Sequence, residues 1–269
     1  MRNVWMTSMA VALIATIAMT DGRAHDEEKD EQGTSVLAGV SLTDGNSDTL
    51  NVNVGLEHVC GTSEDVDQVI AKLEWNYGET DDQTTTENAL GEVTWTHTLS
   101  GDSYAYLAAS LFHDDLADLD YRLIVGPGLG HTVWQNDAAE LSFEIGAVWI
   151  REESKIVSSS SGLLSDASGF EALIANKSDF EDDAIALRIG QAYHRELSEN
   201  ATMWQTAEYL PHFDDFDIYL LTVEVGVEAA VSANAGLRLV VRDRIDSQAK
   251  ERGFEENDLQ VLAGLSYKL

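Results

Sequence analysis

Several residue types are scarce in this chain of 269 residues, and each scarcity excludes a class of protein. The single cysteine, Cys60, rules out an intrachain disulfide and therefore a disulfide-stapled secreted scaffold. The 2 prolines suit long hydrogen-bonded strands, because proline removes a backbone donor. Only 16 Lys and Arg residues oppose 48 Asp and Glu residues, and the net charge is −32. A nucleic-acid binder is thereby excluded, since a phosphate backbone requires a basic face.

Long apolar runs are also scarce, and the one that is present lies at the N-terminus. Arg2 precedes an almost wholly apolar stretch, residues 4–19, and small residues, Gly22 and Ala24, occupy the positions that a signal peptidase reads. We therefore expect residues 1–24 to be a signal peptide cleaved after Ala24. The alternative, a membrane anchor, is disfavoured because the run is short and no basic patch follows it. Residues 25–34 are predicted to form an acidic mobile segment.

Beyond this segment, apolar and polar residues alternate with period two, which is typical of strands with one apolar and one polar face. Val52, Val54 and Leu56 alternate with polar or small residues, and similar series recur as far as Leu269. With no second long apolar run, the mature chain is either soluble or crosses a membrane by strands. The pattern predicts about 12 strands. They are expected to begin near Val36, Asp48, Asp67, Thr86, Tyr104, Tyr121, Glu140, Asp183, Ala201, Asp217, Ala235 and Asn257.

The connections between these strands separate into two kinds. Short links (residues 99–102, 135–138, 197–200 and 231–234) alternate with longer acidic links (residues 78–87, 113–120, 152–183, 211–217 and 246–258). Such sorting predicts an all-β, transmembrane, antiparallel up-and-down β-barrel over residues 35–269, with periplasmic termini and the long links outside. The first two connections, 44–48 and 58–67, break the rule in length. The alternative is a soluble periplasmic β-sandwich that binds a ligand.

Aromatic residues cluster near the predicted strand ends, which suggests two girdles at membrane interfaces flanking an apolar band. The alternative is that they are core aromatics of a β-sandwich, which would fall in mid-strand as often as at the ends. The girdle residues on the short-link side are Trp95, Tyr104, Trp134, Tyr193, Trp204 and Tyr267. Those on the long-link side are Trp75, Tyr77, Tyr121, Trp149, Tyr209 and Tyr219.

Two predicted strands carry opposite charges on their inward faces. If Val223 and Val225 face lipid, then Glu224 and Glu228 face the lumen, and the next strand turns Arg238 and Arg242 inward. A hairpin centred on residue 233 places Glu228 opposite Arg238 and Glu224 opposite Arg242, with Cβ atoms about 5 Å apart. We expect ion pairs that narrow the lumen. The alternative is that the four charges line a wet channel without pairing.

Four motifs identify a family. Residues 39–46 carry a Gly45-Asn46 turn, residues 118–130 read Asp-Leu-Asp-Tyr-Arg-Leu-Ile-Val-Gly-Pro-Gly-Leu-Gly, and residues 144–153 and 257–269 complete the pattern. The chain resembles the domain-of-unknown-function 481 family, described as salt-induced outer-membrane proteins of Gram-negative bacteria. The resemblance spans about residues 35–269 and implies an outer-membrane barrel with a link to salt stress. It supplies no catalytic residues, and the terminal Leu269 departs from the usual aromatic. The motif residues are Gly45, Asn46, Asp120, Arg122, Gly126, Gly128 and Gly130.

Motifs for catalysis or cofactor binding are not supported. The glycines of residues 126–130 fall every second residue in a strand, which favours curvature or close approach of another segment over phosphate binding. Residues 44–48 lack the later Gly and Glu of a calcium loop. The 7 histidines form no closely spaced metal pair, and no serine lies in a recognisable nucleophile motif. We expect no cofactor, no metal and no enzymatic activity; the alternative is an outer-membrane hydrolase of phospholipase type.

The acidic residues are concentrated in the long links, which hold 24 of the 48 Asp and Glu. One interpretation is a solvated surface adapted to a salty medium. The other is attraction of small cations at the pore mouth or among lipopolysaccharide headgroups. The sequence thus predicts a non-enzymatic outer-membrane barrel, either a narrow passive pore or a structural component of the envelope. Its expected partners are outer-membrane lipid, lipopolysaccharide and, during biogenesis, the barrel-assembly machinery.

Overall fold

The computed structural model describes residues 33–43, 49–61, 65–136, 138–158, 176–252 and 254–269. The predicted signal peptide, most of the predicted acidic segment, Gly45 and Asn46 lie outside the described residues. The described part of the chain contains no helix long and apolar enough to cross a membrane. One short 3-10 helix (Ala249–Arg252) precedes the last strand.

Twelve strands make up most of the described chain. They are β1 (Gly33–Thr43), β2 (Thr49–Cys60), β3 (Asp67–Thr80), β4 (Gln83–Ser100), β5 (Ser103–Asp114), β6 (Leu119–Asn136), β7 (Ala139–Ser158), β8 (Asn176–Ser198), β9 (Ala201–Pro211), β10 (Tyr219–Ala230), β11 (Ala235–Asp246) and β12 (Asn257–Lys268). Eleven of the predicted starts lie within three residues of the observed ones. The exception is β8, predicted near Asp183, which begins at Asn176 because residues 176–182 are polar at nearly every position and show no alternation.

The strands form one closed barrel. Each strand pairs antiparallel with its neighbours in sequence, and β1 pairs with β12 to close the ring. An antiparallel up-and-down barrel of twelve strands is therefore confirmed. The alternative of a β-sandwich is wrong, because no sheet edge remains open to divide the strands into two layers.

The two faces of the barrel differ sharply in polarity. Large apolar side chains cover the outside: Leu73 is 59% exposed, Ile145 is 58% exposed and Val261 is 63% exposed. The residues that alternate with these apolar ones along each strand face inward. Many of them are charged, and Arg242, for example, is only 7% exposed. This arrangement inverts that of a soluble protein and suits a surface covered by lipid.

The long-link end of the barrel differs from the prediction at two connections. Residues 78–87, predicted as a long acidic link, are strand on both sides of a two-residue turn at Asp81 and Asp82. Both aspartates have positive φ, 50° and 62°, the backbone conformation of a type I′ hairpin turn. Similarly, β7 and β8 extend through much of the predicted link 152–183 and pair as far as Ser158 and Asn176. The polar composition of these segments concealed strands that continue beyond the apolar band.

Aromatic rings cover glycines on the inner wall. A Cβ atom at Gly128 would overlap the hydroxyl of Tyr106, and one at Gly130 would overlap the ring of Tyr104. Gly226 is covered in the same way by Trp204. The glycines of residues 126–130 thus permit close approach of neighbouring side chains, an arrangement that stabilises strongly curved sheets.

Part of the inner wall is apolar. Val148, Ile150, Ala186 and Leu210 are each at most 4% exposed and pack together on β7, β8 and β9. They face inward because their outward neighbours, such as Trp149, are exposed. Charged side chains line the inner wall on both sides of this cluster, and they form the site described next.

Candidate functional site: the charged lumen

The interior of the barrel carries a network of ion pairs. Among the described side chains, seven Lys and Arg residues face the lumen or its mouth on the long-link side, and six of them lie within 4.0 Å of a carboxylate. The six cations are Lys72, Arg122, Arg188, Arg238, Arg242 and Arg252. Their eight partners are Glu57, Glu74, Glu144, Glu152, Glu208, Glu224, Glu228 and Asp246. Carboxylates therefore outnumber cations even inside the barrel.

Arg242 spans the lumen near its middle. Its Nη2 lies 2.6 Å from Oε2 of Glu224 on the neighbouring strand β10. Its Nη1 and Nη2 also donate to both carboxylate oxygens of Glu74, at 2.6 and 2.9 Å. Glu74 lies on β3, and β12, β1 and β2 separate that strand from β11. A bidentate pair between walls that are not adjacent constricts the passage at this level.

The pairing of β10 with β11 places the four predicted lumen charges together. Glu224 lies opposite Arg242, and Glu228 lies opposite Arg238, in the observed register. Arg238 donates from Nε to Glu228 at 2.7 Å, and Ser266 donates to the second oxygen of that carboxylate at 2.8 Å. The geometry is that of paired charges and not of independent charges along a wet wall.

A second cluster surrounds Arg188. Its Nη1 lies 2.6 Å from Glu144 on β7, and its Nε lies 2.5 Å from Glu208 on β9. The guanidinium also lies over the ring of Tyr106, 4.7 Å from the centroid. This cluster could not be predicted from the sequence, because its members come from four strands, β5, β7, β8 and β9, whose pairing register was not predicted.

A ring of four paired charges lies at the mouth of the barrel on the long-link side. Arg122 contacts the carboxylates of Glu152 and Asp246, and Arg252 contacts the same two carboxylates. The four side chains are at most 18% exposed. They connect β6 and β7 to the end of β11 and to the 3-10 helix, which therefore lies against the mouth. Burial and the adjacent Arg122 lower the pKa of Arg252 to about 10, so it stays charged at neutral pH.

Arg244 differs from the other lumen arginines. Its guanidinium lies 4.7 Å from the ring centroid of Phe112 on β5, on the opposite wall, and Nη1 donates weakly to Gln260 at 3.4 Å. Within the described residues it lies within 4.0 Å of no carboxylate. Arg244 thus narrows the lumen next to Arg242, on the long-link side, and forms no ion pair with the described residues.

The predicted girdle residues divide into two groups. Trp75, Tyr77, Trp95, Tyr121, Trp134, Trp149, Tyr193, Tyr209, Tyr219 and Tyr267 lie on the outward face, near the ends of the apolar band. The prediction is wrong for Tyr104 and Trp204, which face inward. The Tyr104 hydroxyl donates to Glu144 at 2.9 Å, and Trp204 Nε1 donates to Glu224 at 2.8 Å. Position near a strand end does not reveal which face a residue occupies.

The family motif residues that the structure describes make contacts within the barrel. Arg122 belongs to the mouth ring, and Asp120 lies beside it at the start of β6, where its carbonyl accepts a bond from His113. A Cβ atom at Gly126 would overlap the backbone of β7, which explains glycine at that position. Gly45 and Asn46 lie outside the described residues.

One serine–histidine pair lies on the outer wall. The hydroxyl of Ser103 lies 3.0 Å from Nδ1 of His131 beside a groove of about 370 Å³ that is lined by Leu129, Phe143 and Ile145. No third side chain in the described part of the chain bonds to His131. Among the described residues, no group of three His, Cys, Asp or Glu could hold a metal ion.

Solved structures that align with this chain include two porins and an autotransporter domain. The NanC porin aligns over 88% of this chain and 100% of its own, at 10% identity and a TM-score of 0.47. The KdgM porin in complex with disordered oligogalacturonate aligns over 88% and 99%, at 9% identity and a TM-score of 0.46. The translocator domain of the autotransporter NalP from Neisseria meningitidis aligns over 98% and 95%, at 9% identity and a TM-score of 0.42.

Sequence comparison identifies the family directly. No curated protein matches the chain. The family model described as "Protein of unknown function, DUF481" matches residues 36–269, which is all of the barrel except the first three residues of β1. The resemblance expected from the motifs is thereby confirmed, and the chain belongs to the DUF481 family.

Proposed function

We propose that the protein is a non-enzymatic outer-membrane barrel of a Gram-negative bacterium that acts as a narrow channel for small ions under salt or osmotic stress. A signal peptide, residues 1–24, would direct its export. Lipid and lipopolysaccharide would surround the apolar outer face, and the barrel-assembly machinery would insert it. Small cations would gather at the acidic links.

The observation that carries this proposal is the contact between Arg242 and Glu74 across the lumen. Bidentate hydrogen bonds of 2.6 and 2.9 Å hold two distant walls together at mid-height. A large solute cannot pass without breaking them. We expect hydrated monovalent ions to pass beside the pair, so the constriction favours a small conductance over the wide pore of a general porin.

The charge balance of the lumen indicates which ions would pass. Eight carboxylates oppose six cations among the paired side chains. With Glu92, which faces Lys72 across β3 and β4, and with Arg244, the balance is nine carboxylates to seven cations. A surplus of negative charge along a constricted path raises the local concentration of cations and repels anions. We therefore propose cation selectivity, which screening weakens at high ionic strength.

Conductance in planar lipid bilayers tests the proposal. The purified protein should form small channels whose reversal potential in a KCl gradient shows a preference for K⁺. Arg242→Ala should raise the single-channel conductance several-fold, because it removes the bridge and leaves both Glu74 and Glu224 unpaired. Arg195→Ala, on the exposed outward face, is the matched control and should not change it. Silence of both the native protein and Arg242→Ala would contradict a channel and favour a structural role.

The stress association has its own test. The amount of the protein in outer-membrane fractions should rise after cells are transferred to high salt. If the amount of the protein changes neither with NaCl nor with an uncharged osmolyte, the link to salt or osmotic stress is wrong, whereas the channel function is unaffected.

A second candidate function has one specific observation in its favour. Ser103 and His131 are within hydrogen-bonding distance beside an apolar groove on the outer wall, the arrangement of a nucleophile and its base in a lipid hydrolase. Labelling by a fluorophosphonate probe that Ser103→Ala abolishes would support this activity. Absence of labelling in detergent and in lipid would exclude it.

A further inference from the structure

The apolar outer face is interrupted by two amide side chains on adjacent strands. Gln191 on β8 and Gln205 on β9 both face outward, as their partners Phe143 and Val225 show. Every other Asn or Gln in the described strands faces the lumen or lies at a strand end. Gln205 is the middle member of its strand's outward series, which is Ala201, Met203, Gln205, Ala207 and Tyr209.

The two amides contact each other but remain only partly satisfied. Nε2 of Gln205 donates to Oε1 of Gln191 at 2.9 Å. That bond leaves the second N–H and the carbonyl oxygen of Gln205, and both N–H groups of Gln191, without a partner in the described part of the chain. In water these groups would form hydrogen bonds to solvent, so the lack of a partner in the protein would cost no free energy. In hydrocarbon each unpaired group carries a penalty, because lipid tails offer no hydrogen bonds.

The neighbouring surface permits close approach of another barrel. Ala207 lies directly opposite Gln191, so a small side chain adjoins the amide pair. The outward series of β10 on one side (Leu221, Val223, Val225 and Val227) is wholly apolar and contains no charge. Polar side chains beside small residues are the features that mark association sites between segments within a membrane.

We propose that the β8–β9 wall is a dimer interface, at which a second copy of this chain docks around Gln191 and Gln205. Amide groups both donate and accept, so two identical patches related by a two-fold axis complete each other's hydrogen bonds. The inference goes beyond the channel function but rests on the outer-membrane location proposed above.

Disulfide crosslinking in native membranes tests this interface. In a Cys60→Ser background, Ala207→Cys should crosslink to a dimer on mild oxidation, because the two-fold axis passes near β9. Ala71→Cys is the matched control: it faces outward on β3, six strands away on the opposite side of the barrel, and should stay monomeric. A monomer from Ala207→Cys, or equal crosslinking of both variants, would overturn the proposal. A crosslink to a different protein would overturn the choice of partner.

A second measurement keeps the inference independent of engineered cysteines. The double variant Gln191→Leu/Gln205→Leu should weaken dimerisation in detergent roughly 3- to 30-fold for each hydrogen bond lost. The variant should remain folded, because leucine suits a lipid-facing site, and heat-modifiable gel migration verifies this. An unchanged monomer–dimer equilibrium would contradict the interface. Failure of the outer-membrane location is recognised separately, since the protein would then be absent from the outer-membrane fraction.

Discussion

Residue 128 must be glycine because the side chain of Tyr106 lies against it, and not because the backbone turns there. The ring of Tyr106 occupies the space that a side chain would fill, and its hydroxyl is buried. We expect Gly128→Ala to cost about 1–3 kcal/mol of unfolding free energy, the usual cost of overpacking a close contact. Urea unfolding of the refolded barrel measures it. Gly91→Ala is the control, because a Cβ there meets only Leu73 at 3.4 Å; equal losses in both variants would contradict the explanation.

The ion pair between Glu224 and Arg242 is a second feature whose contribution to stability depends on individual residues. Their side chains are only 18% and 9% exposed, so water screens the attraction weakly. A double-mutant cycle with Glu224→Gln and Arg242→Gln should give a coupling energy of about 1–3 kcal/mol. The pair Lys250 and Glu256, 66% and 38% exposed, should give less than about 1 kcal/mol. Strictly additive losses at Glu224 and Arg242 would show that the charges do not interact.

At the scale of strands and turns, the hairpin of β3 and β4 is under local strain. Asp81 and Asp82 adopt positive φ, where an L-residue costs roughly 1–2 kcal/mol. We expect Asp82→Gly to stabilise the barrel by up to about 1 kcal/mol, because glycine adopts this conformation without a Cβ clash. The measurement is the midpoint of urea unfolding.

The control for this turn is an aspartate in an ordinary conformation. Asp214, in the link between β9 and β10, is not among the non-glycine residues with positive φ, so Asp214→Gly should be neutral or destabilising. Stabilisation by both substitutions would point to the loss of negative charge, and not to backbone strain, as the cause.

Most elements could be predicted because their outer faces are uniformly apolar. In β10 and β12 every second residue is apolar, and Glu224 and Glu228 could then be assigned to the lumen and placed opposite Arg242 and Arg238. The partner Glu74 could not be predicted, since it lies 168 residues from Arg242 and only closure of the barrel brings them together. Periodicity assigns faces within a strand, whereas contacts across the lumen depend on the whole ring.

At the scale of the whole molecule, the topology makes a directional prediction. In a Cys60→Ser background, Asp214→Cys, in an exposed link at the outer end, should react with a membrane-impermeant maleimide in intact cells. Ser232→Cys, in the exposed turn at the other end, should react only after the outer membrane is permeabilised. The reverse pattern would mean that the barrel is inserted with the opposite orientation.

The seam between the first and last strands is short, and this has a consequence for the kinetics of folding. Only four residue pairs, Ser35 to Ala38 against Leu265 to Lys268, close the ring, whereas β1 and β2 share eleven. Every other pairing joins consecutive strands, but the seam closes a loop of roughly 230 residues, with an entropic cost of about 5 kcal/mol. Hairpins therefore form early and the seam last. Until it closes, the sheet presents two edges, which can pair with each other or with the edge of another chain.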